Sequence, residues 1–132
     1  MKNLQQRGWG EEMASESEVI SIIRSYDDVT DLGDGSFSVN WALDGGRSQI
    51  VFLTVSDPFL ALMSPFAAKD ALTAEEAVSL AKIFGVCDMG QFYGLRNLLL
   101  IEDLDESEIV NMAMFIAVRA DAIESEVGGD RF

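Results

Sequence analysis

Asp27, Asp28, Asp31 and Asp34 crowd one short stretch, and Glu102, Asp103, Asp105, Glu106 and Glu108 crowd another. Carboxylates at that density are the raw material of cation binding or of paired acid and base hydrolysis. The first stretch fails as a calcium loop. With Gly35 at the sixth position, Thr30 and Leu32 occupy the first and third, and Trp41 stands where a bidentate glutamate is required. It reads as a solvated, helix-stopping turn. The second stretch lies where a helix begins, so the helix dipole explains its charge, and nothing selects a catalytic pair from it. "GDGSFS" begins like a phosphate-cradling glycine loop, but Ser38 replaces the last glycine and a strand follows instead of a helix. With no histidine there is no Ser-His-Asp triad, and no G-x-S-x-G elbow occurs. Lys2, Lys69 and Lys82 sit in no serine motif. Cys87, the single cysteine, cannot form an intrachain disulfide, rules out four-cysteine and Cys/His zinc sites, and has no lysine or arginine close in sequence to activate it. The expectation is no catalytic residue, no metal and no cofactor. The alternative is a small-ligand regulator or enzyme using carboxylates with Tyr93 and Arg96 in a pocket between sheet and helices.

The elements that would position any site are marked by caps and periodicity. Ser15 with Glu18, Thr73 with Glu76 and Asp105 with Glu108 have the capping-box spacing, in which each side chain satisfies the other's free backbone N–H. Behind the first cap Val19, Ile20, Ile22, Ile23 and Tyr26 form one helical stripe. Behind the second come Ala74, Ala77, Val78, Ala81 and Phe84, ending at Gly85. Behind the third come Ile109, Met112, Ile116, Ala120, Ile123 and Val127, ending at Gly128-Gly129. Residues 27–36 are predicted as a loop and 36–43 as a strand. Asp44-Gly45-Gly46-Arg47 reverses the chain into a second strand over 49–55, and a third covers 59–64, with Pro65 ending it or marking an edge. Two short strands over 91–95 and 98–102 are joined by a turn at Arg96-Asn97. Met112 and Met114 are read as core.

The order α-β-β-β-α-β-β-α, with strands in succession, predicts an α+β fold: a mainly antiparallel five-stranded sheet with helices on one face. Residues 1–14 are read as a polar leader in which Trp9 is the oddity, 15–127 as one domain and 128–132 as a tail. The 132 residues are 48% hydrophobic, enough for a core. A net charge of -14, from 23 acids against 9 bases, repels phosphate backbones and anionic lipid, so nucleic acid is not an expected partner. The longest mostly apolar run, 109–118, is too short to span a bilayer, so no membrane insertion is expected, and a lone cysteine fits a cytoplasmic setting.

The strands are apolar on both faces. If Phe37, Val39, Trp41 and Leu43 join Ile50 and Phe52 under the helices, then Val51, Leu53, Val55, Leu60, Leu62, Leu99 and Ile101 supply the opposite face; the register decides, and either choice leaves large apolar side chains away from the helices. Such a patch, several hundred Å² in extent, calls for a covering polypeptide. These seven residues are the expected partner-binding set.

With that order of elements, "TAEEAVSLAKIFG", "GQFYGLRNLLLIEDL" and "DESEIVNMAMFIAVRADAIESEV" together resemble the YbjN family, whose fold is that of type III secretion chaperones. The likeness covers about residues 15–127. It implies a small, acidic, non-enzymatic bacterial protein, chaperone-like or regulatory, that binds a partner protein and is often dimeric. YbjN proteins are often labelled sensory-transduction regulators. By position, the resemblance makes Ala77, Val78, Ala81 and Phe84 the candidates for a homodimer interface.

Overall fold

A computed structural model describes residues 15–127; the leader with Trp9, the tail and the Gly128-Gly129 helix stop lie outside the described residues. The three capping boxes form as the sequence dictates. Glu18 N–H donates to Ser15 Oγ at 3.3 Å while Ser15 N–H donates to Glu18 Oε1 at 2.9 Å, opening α1 (Glu16–Arg24). Thr73 and Glu76 exchange the same pair at 3.1 and 2.8 Å before α2 (Ala74–Ala81). Asp105 and Glu108 do so at 2.9 and 3.1 Å before α3 (Glu106–Val127). Each box satisfies two backbone donors that a helix start leaves free.

Six strands follow: β1 (Val29–Gly33), β2 (Ser36–Ala42), β3 (Ser48–Ser56), β4 (Phe59–Ala68), β5 (Gly85–Asp88) and β6 (Phe92–Leu100). They form one antiparallel sheet in the order β1-β2-β3-β4-β6-β5. The α+β class, the antiparallel sheet and the helices on one face are as expected; the strand count is six, not five.

Three local departures account for the difference. Residues 29–33, read as loop, are β1, because Asp34 (φ 55) and Gly35 (φ 77) close a two-residue hairpin between Gly33 and Ser36. A Cβ on Gly35 would lie 2.9 Å from the Val55 carbonyl oxygen, so the close approach needs glycine. At the second site α2 stops at Ala81, where Lys82 turns to φ 58, and Gly85 is the first residue of β5 instead of a helix cap. The third is β6, which runs unbroken through the expected Arg96-Asn97 turn, those residues pairing with Met63 and Leu62. The reversal lies instead at 89–91, where Gly90 (φ 82) donates its N–H to Asp88 Oδ1 at 2.9 Å.

Pro65 neither ends β4 nor marks an edge. The β3 ladder against β4 stops at Phe52 and Met63, and side chains take over beyond it. Ser64 Oγ donates to the Ile50 carbonyl at 2.6 Å, and the fully buried Gln49 donates from Nε2 to the Pro65 carbonyl at 2.7 Å. The ladder shift between Pro65 and Ala67 accommodates the proline on the β6 side.

Register decides which side chains are core. In the β2–β3 hairpin Phe37 pairs with Leu53, Val39 with Val51 and Trp41 with Gln49, so odd residues oppose odd residues. Cross-strand partners share a face. The core therefore contains Phe37, Val39, Val51, Leu53, Val55, Leu60 and Leu62 with Val19 and Ile23 of α1, Ala77 and Ala81 of α2, and Ile109, Ile116 and Ile123 of α3. Ile50 and Phe52, expected under the helices, lie on the other face opposite Asn40 and Ser38. A hairpin register one residue away from the expected pairing exchanges the two faces.

Distant ties hold helices to the sheet. Arg47, in the β2–β3 turn, donates through Nη2 to Asp121 Oδ1 of α3 at 2.6 Å and to Ser125 Oγ at 3.3 Å. Arg24 of α1 pairs with Asp31 of β1 at 3.0 Å, its guanidinium 5.7 Å from the centre of the Phe37 ring.

Two outcomes follow from this packing. Leu53→Ala lowers unfolding free energy by about 2–5 kcal/mol in urea melts, and Leu53→Asp gives no cooperative transition; a folded Leu53→Asp protein would show that the register is wrong. Three carboxyls are held below the ordinary aspartate range: Asp31 by the Gly33 N–H and Arg24, Asp88 by Lys69 and the Gly90 N–H, and Asp105 by the Ser107 hydroxyl and the Glu108 N–H. Because the folded values lie below the unfolded value of 3.8, their stabilisation is complete above that pH and is lost as pH falls through the lowered values. Thermal melts across the acid range should show an acid limb below about pH 4 that becomes shallower in Asp31→Asn.

Candidate functional site

The helix-free face of the sheet is built from whatever the register turns away from the core. Its rows are Thr30–Ser38–Phe52–Met63–Arg96–Gly85, then Ser36–Thr54–Ala61–Leu98, then Ser56–Phe59–Leu100, with Asn40–Ile50 on the other flank. The β1–β2 side is serine, threonine and asparagine. The β3–β4–β6 side is apolar: Phe59, Leu98 and Leu100 are 40%, 41% and 46% exposed, and Ile50, Phe52, Ala61 and Met63 are half-buried among neighbours. Leucine and phenylalanine stand free here because the pleat puts every second residue of β3, β4 and β6 outward and no described helix packs on that side.

Charge is distributed unevenly over this face. None of the row positions carries an acid, in a chain with 23, and the one charge in the rows is Arg96. Arg96 lies between Met63 of β4 and Gly85 of β5. Among the described residues no carboxylate pairs with it. At the β5 end, Met89 packs over Gly94, where a Cβ would collide with its thioether, and Cys87 lies beside it.

The residues expected to bind a partner are placed elsewhere. Val51, Leu53, Val55, Leu60, Leu62 and Ile101 are buried between sheet and helices, and Leu99 is half-buried on that same side, opposite Leu60. This corrects the face assignment: an apolar outer face exists, but Ile50, Phe52, Phe59, Ala61, Met63, Leu98 and Leu100 make it. The signal that finds them is the pairing parity set by the turn: Leu43 N–H donates to the Arg47 carbonyl at 2.8 Å, so Arg47 closes the hairpin and only Asp44, Gly45 and Gly46 lie between the closing pair.

A second apolar surface runs over the helices. Val78 of α2, Ile83 after it and Met114, Phe115 and Val118 of α3 are exposed, and the Phe84 ring packs on Phe115 with centroids 5.1 Å apart. Of the four residues named for a homodimer interface, Val78 is open to solvent; Ala77 and Ala81 are fully buried and Phe84 nearly so. Met112 is half-buried, whereas Met114, read as core, faces solvent.

The chemistry considered as an alternative does not converge. Tyr93 lies on the core side, stacked on Phe66 at 6.5 Å, while Arg96 lies on the outer face, so the two point to opposite sides of β6. The cleft between α1, β2 and α3 is lined by Tyr26, Asp27, Asp28, Val39, Trp41 and Val110. There the Tyr26 ring meets Trp41 edge-on at 5.7 Å, and burial, with the Glu106 carboxylate adding, pushes its phenol up to about 12. The phenol therefore stays protonated at neutral pH. Among the described residues no group of three or more histidine, cysteine, aspartate or glutamate side chains is placed to hold a metal, and no helix is long and apolar enough to cross a membrane.

No protein-family model matches the chain, and no curated protein matches it by sequence. Among solved structures it is similar to a chain of the crystal structure of the ExsC–ExsE complex. The TM-score is 0.55 at 15% identity, over 86% of this chain and 96% of that one. At that identity the likeness is one of fold. This chain and that one share their α+β fold.

Cys87 supplies a check on the β5 end of the face. Burial raises its thiol above the ordinary range, against smaller opposing effects of Arg96 and the Gly94 N–H. At pH 7 iodoacetamide should label it more slowly in the folded protein than in urea, followed by mass spectrometry, because less thiolate is present. Equal rates would mean that β5 does not shelter the thiol.

Proposed function

We propose that residues 15–127 form a non-enzymatic, chaperone-like protein-binding module whose outer sheet face holds a segment of a partner polypeptide. The observation that carries this reading is the apolar floor of β3, β4 and β6, with Phe59, Leu98 and Leu100 open to solvent. Covering such side chains is favourable at roughly 25 cal/mol per Å² of apolar surface removed from water. The structural neighbour lends support, since it comes from a complex of two named proteins, ExsC and ExsE. The same reading takes the chain as a cytoplasmic bacterial protein of the YbjN type, regulatory or chaperone-like. It places a homodimer contact on the helical ridge, with Val78, Ile83 and Phe115 where Ala77, Ala81 and Phe84 were expected, because the latter three are occupied within their own subunit.

Crosslinking in cells followed by mass spectrometry tests the module. Phe52→Asp and Leu98→Asp should keep the circular dichroism spectrum of the parent and lose most crosslinked partner, whereas Phe115→Asp should keep the partner and shift sedimentation from dimer to monomer. A partner retained by both sheet variants would remove the outer face from consideration.

A further inference from the structure

Docking an apolar segment on this face creates a problem at Arg96. The guanidinium lies within the rows, two residues along β6 from Leu98 and opposite Met63, and no described carboxylate pairs with it. Left under an apolar cover it would be a dehydrated, unpaired charge, an arrangement that is strongly unfavourable. Its other neighbour across the ladder is Gly85, which has no side chain to pair with or cover the guanidinium. The planar fork of an arginine fits a carboxylate through two parallel N–H···O bonds.

The rest of the face agrees. A chain of net charge -14 leaves every paired outer position free of acid, so an incoming carboxylate meets serine, threonine and apolar side chains there. Resting on the proposed function, we infer that the segment held by the outer face is apolar with an acidic side chain, whose carboxylate pairs with Arg96. The occupant is thus a stretch of partner polypeptide with glutamate or aspartate among large apolar residues. The net charge of the whole molecule opposes this choice. Its field is cut within about 8 Å at physiological salt, whereas a carboxylate touching Arg96 is at contact distance.

The opposition makes the test sharp. Two synthetic peptides of about ten residues, with leucines at the same alternate positions and either glutamates or lysines between them, carry a neutral dye and are titrated against the whole protein at 0.15 M salt. The parent should bind the glutamate peptide more tightly by about 1.5- to five-fold, the range of one exposed ion pair. Arg96→Gln should abolish the preference and Arg96→Glu reverse it, each with an unchanged circular dichroism spectrum. A parent that prefers the lysine peptide, or a preference that survives Arg96→Glu, overturns the assignment. If both peptides bind equally and Leu98→Asp weakens both, polypeptide docking stands and the charge rule falls; if neither binds, or Leu98→Asp weakens neither, the docking reading falls and takes the rule with it.

Discussion

The structure depends on the pairing parity of one hairpin. Because Trp41 opposes Gln49, every odd residue of β2 meets an odd residue of β3, and β4 inherits the choice through Leu53 and Leu62. Side chains alternate with a period of two, so no intermediate arrangement exists: one row is wholly core and the next wholly outward. The chosen register buries phenylalanine, valine and leucine under α1 and α3. It turns Ser36, Ser38, Asn40 and Thr54 outward together with Ile50 and Phe52. The other parity, with Ile50 and Phe52 under the helices, would keep Phe37 and Val39 in the core but turn Val51, Leu53 and Val55 out to water.

Once that register is set, two polar devices hold the sheet to its neighbours. Gln49 and Ser64 replace the backbone ladder where Pro65 removes a donor, so a proline is tolerated in a strand flanked on both sides. Arg47 carries the turn onto α3 through Asp121, a long-range tie anchored at the residue that closes the hairpin. Turn, register and helix docking are thereby coupled. A change in turn length would move both the core row and the arginine.

The elements most legible in the sequence were those whose signal is local. Each capping box names its helix start from residues three apart, and the apolar stripes that follow need nothing beyond their own turn of helix. The order of the three helices followed from these. What escaped is what depends on partners distant in sequence. The β1 strand lies in a stretch, 27–35, rich in aspartate and glycine and is held by β2; its Asp34-Gly35 turn was a hairpin signal hidden by the helix-stopping reading of the same residues. The true turn at 89–91 and the continuity of β6 are set by β4, whose register carries Arg96 and Asn97 through as ordinary strand residues. The site was legible in kind only: apolar character on both faces can be read from alternation, but the identity of the outward row requires the register.

Acidity and stickiness are reconciled by where each is placed. Carboxylates gather at helix starts and turns, where backbone N–H groups and dipoles stabilise them, as at Glu18, Glu76, Asp88 and Asp105. None of those positions falls in the outer rows. Repulsion between whole molecules therefore acts at long range, where it discourages indiscriminate association, and is absent at the face itself. Long-range repulsion of this kind restrains contact between copies that carry exposed leucine and phenylalanine; under the proposed function, a partner segment overcomes that restraint by reaching the rows closely enough to meet Arg96 instead of the surrounding acids.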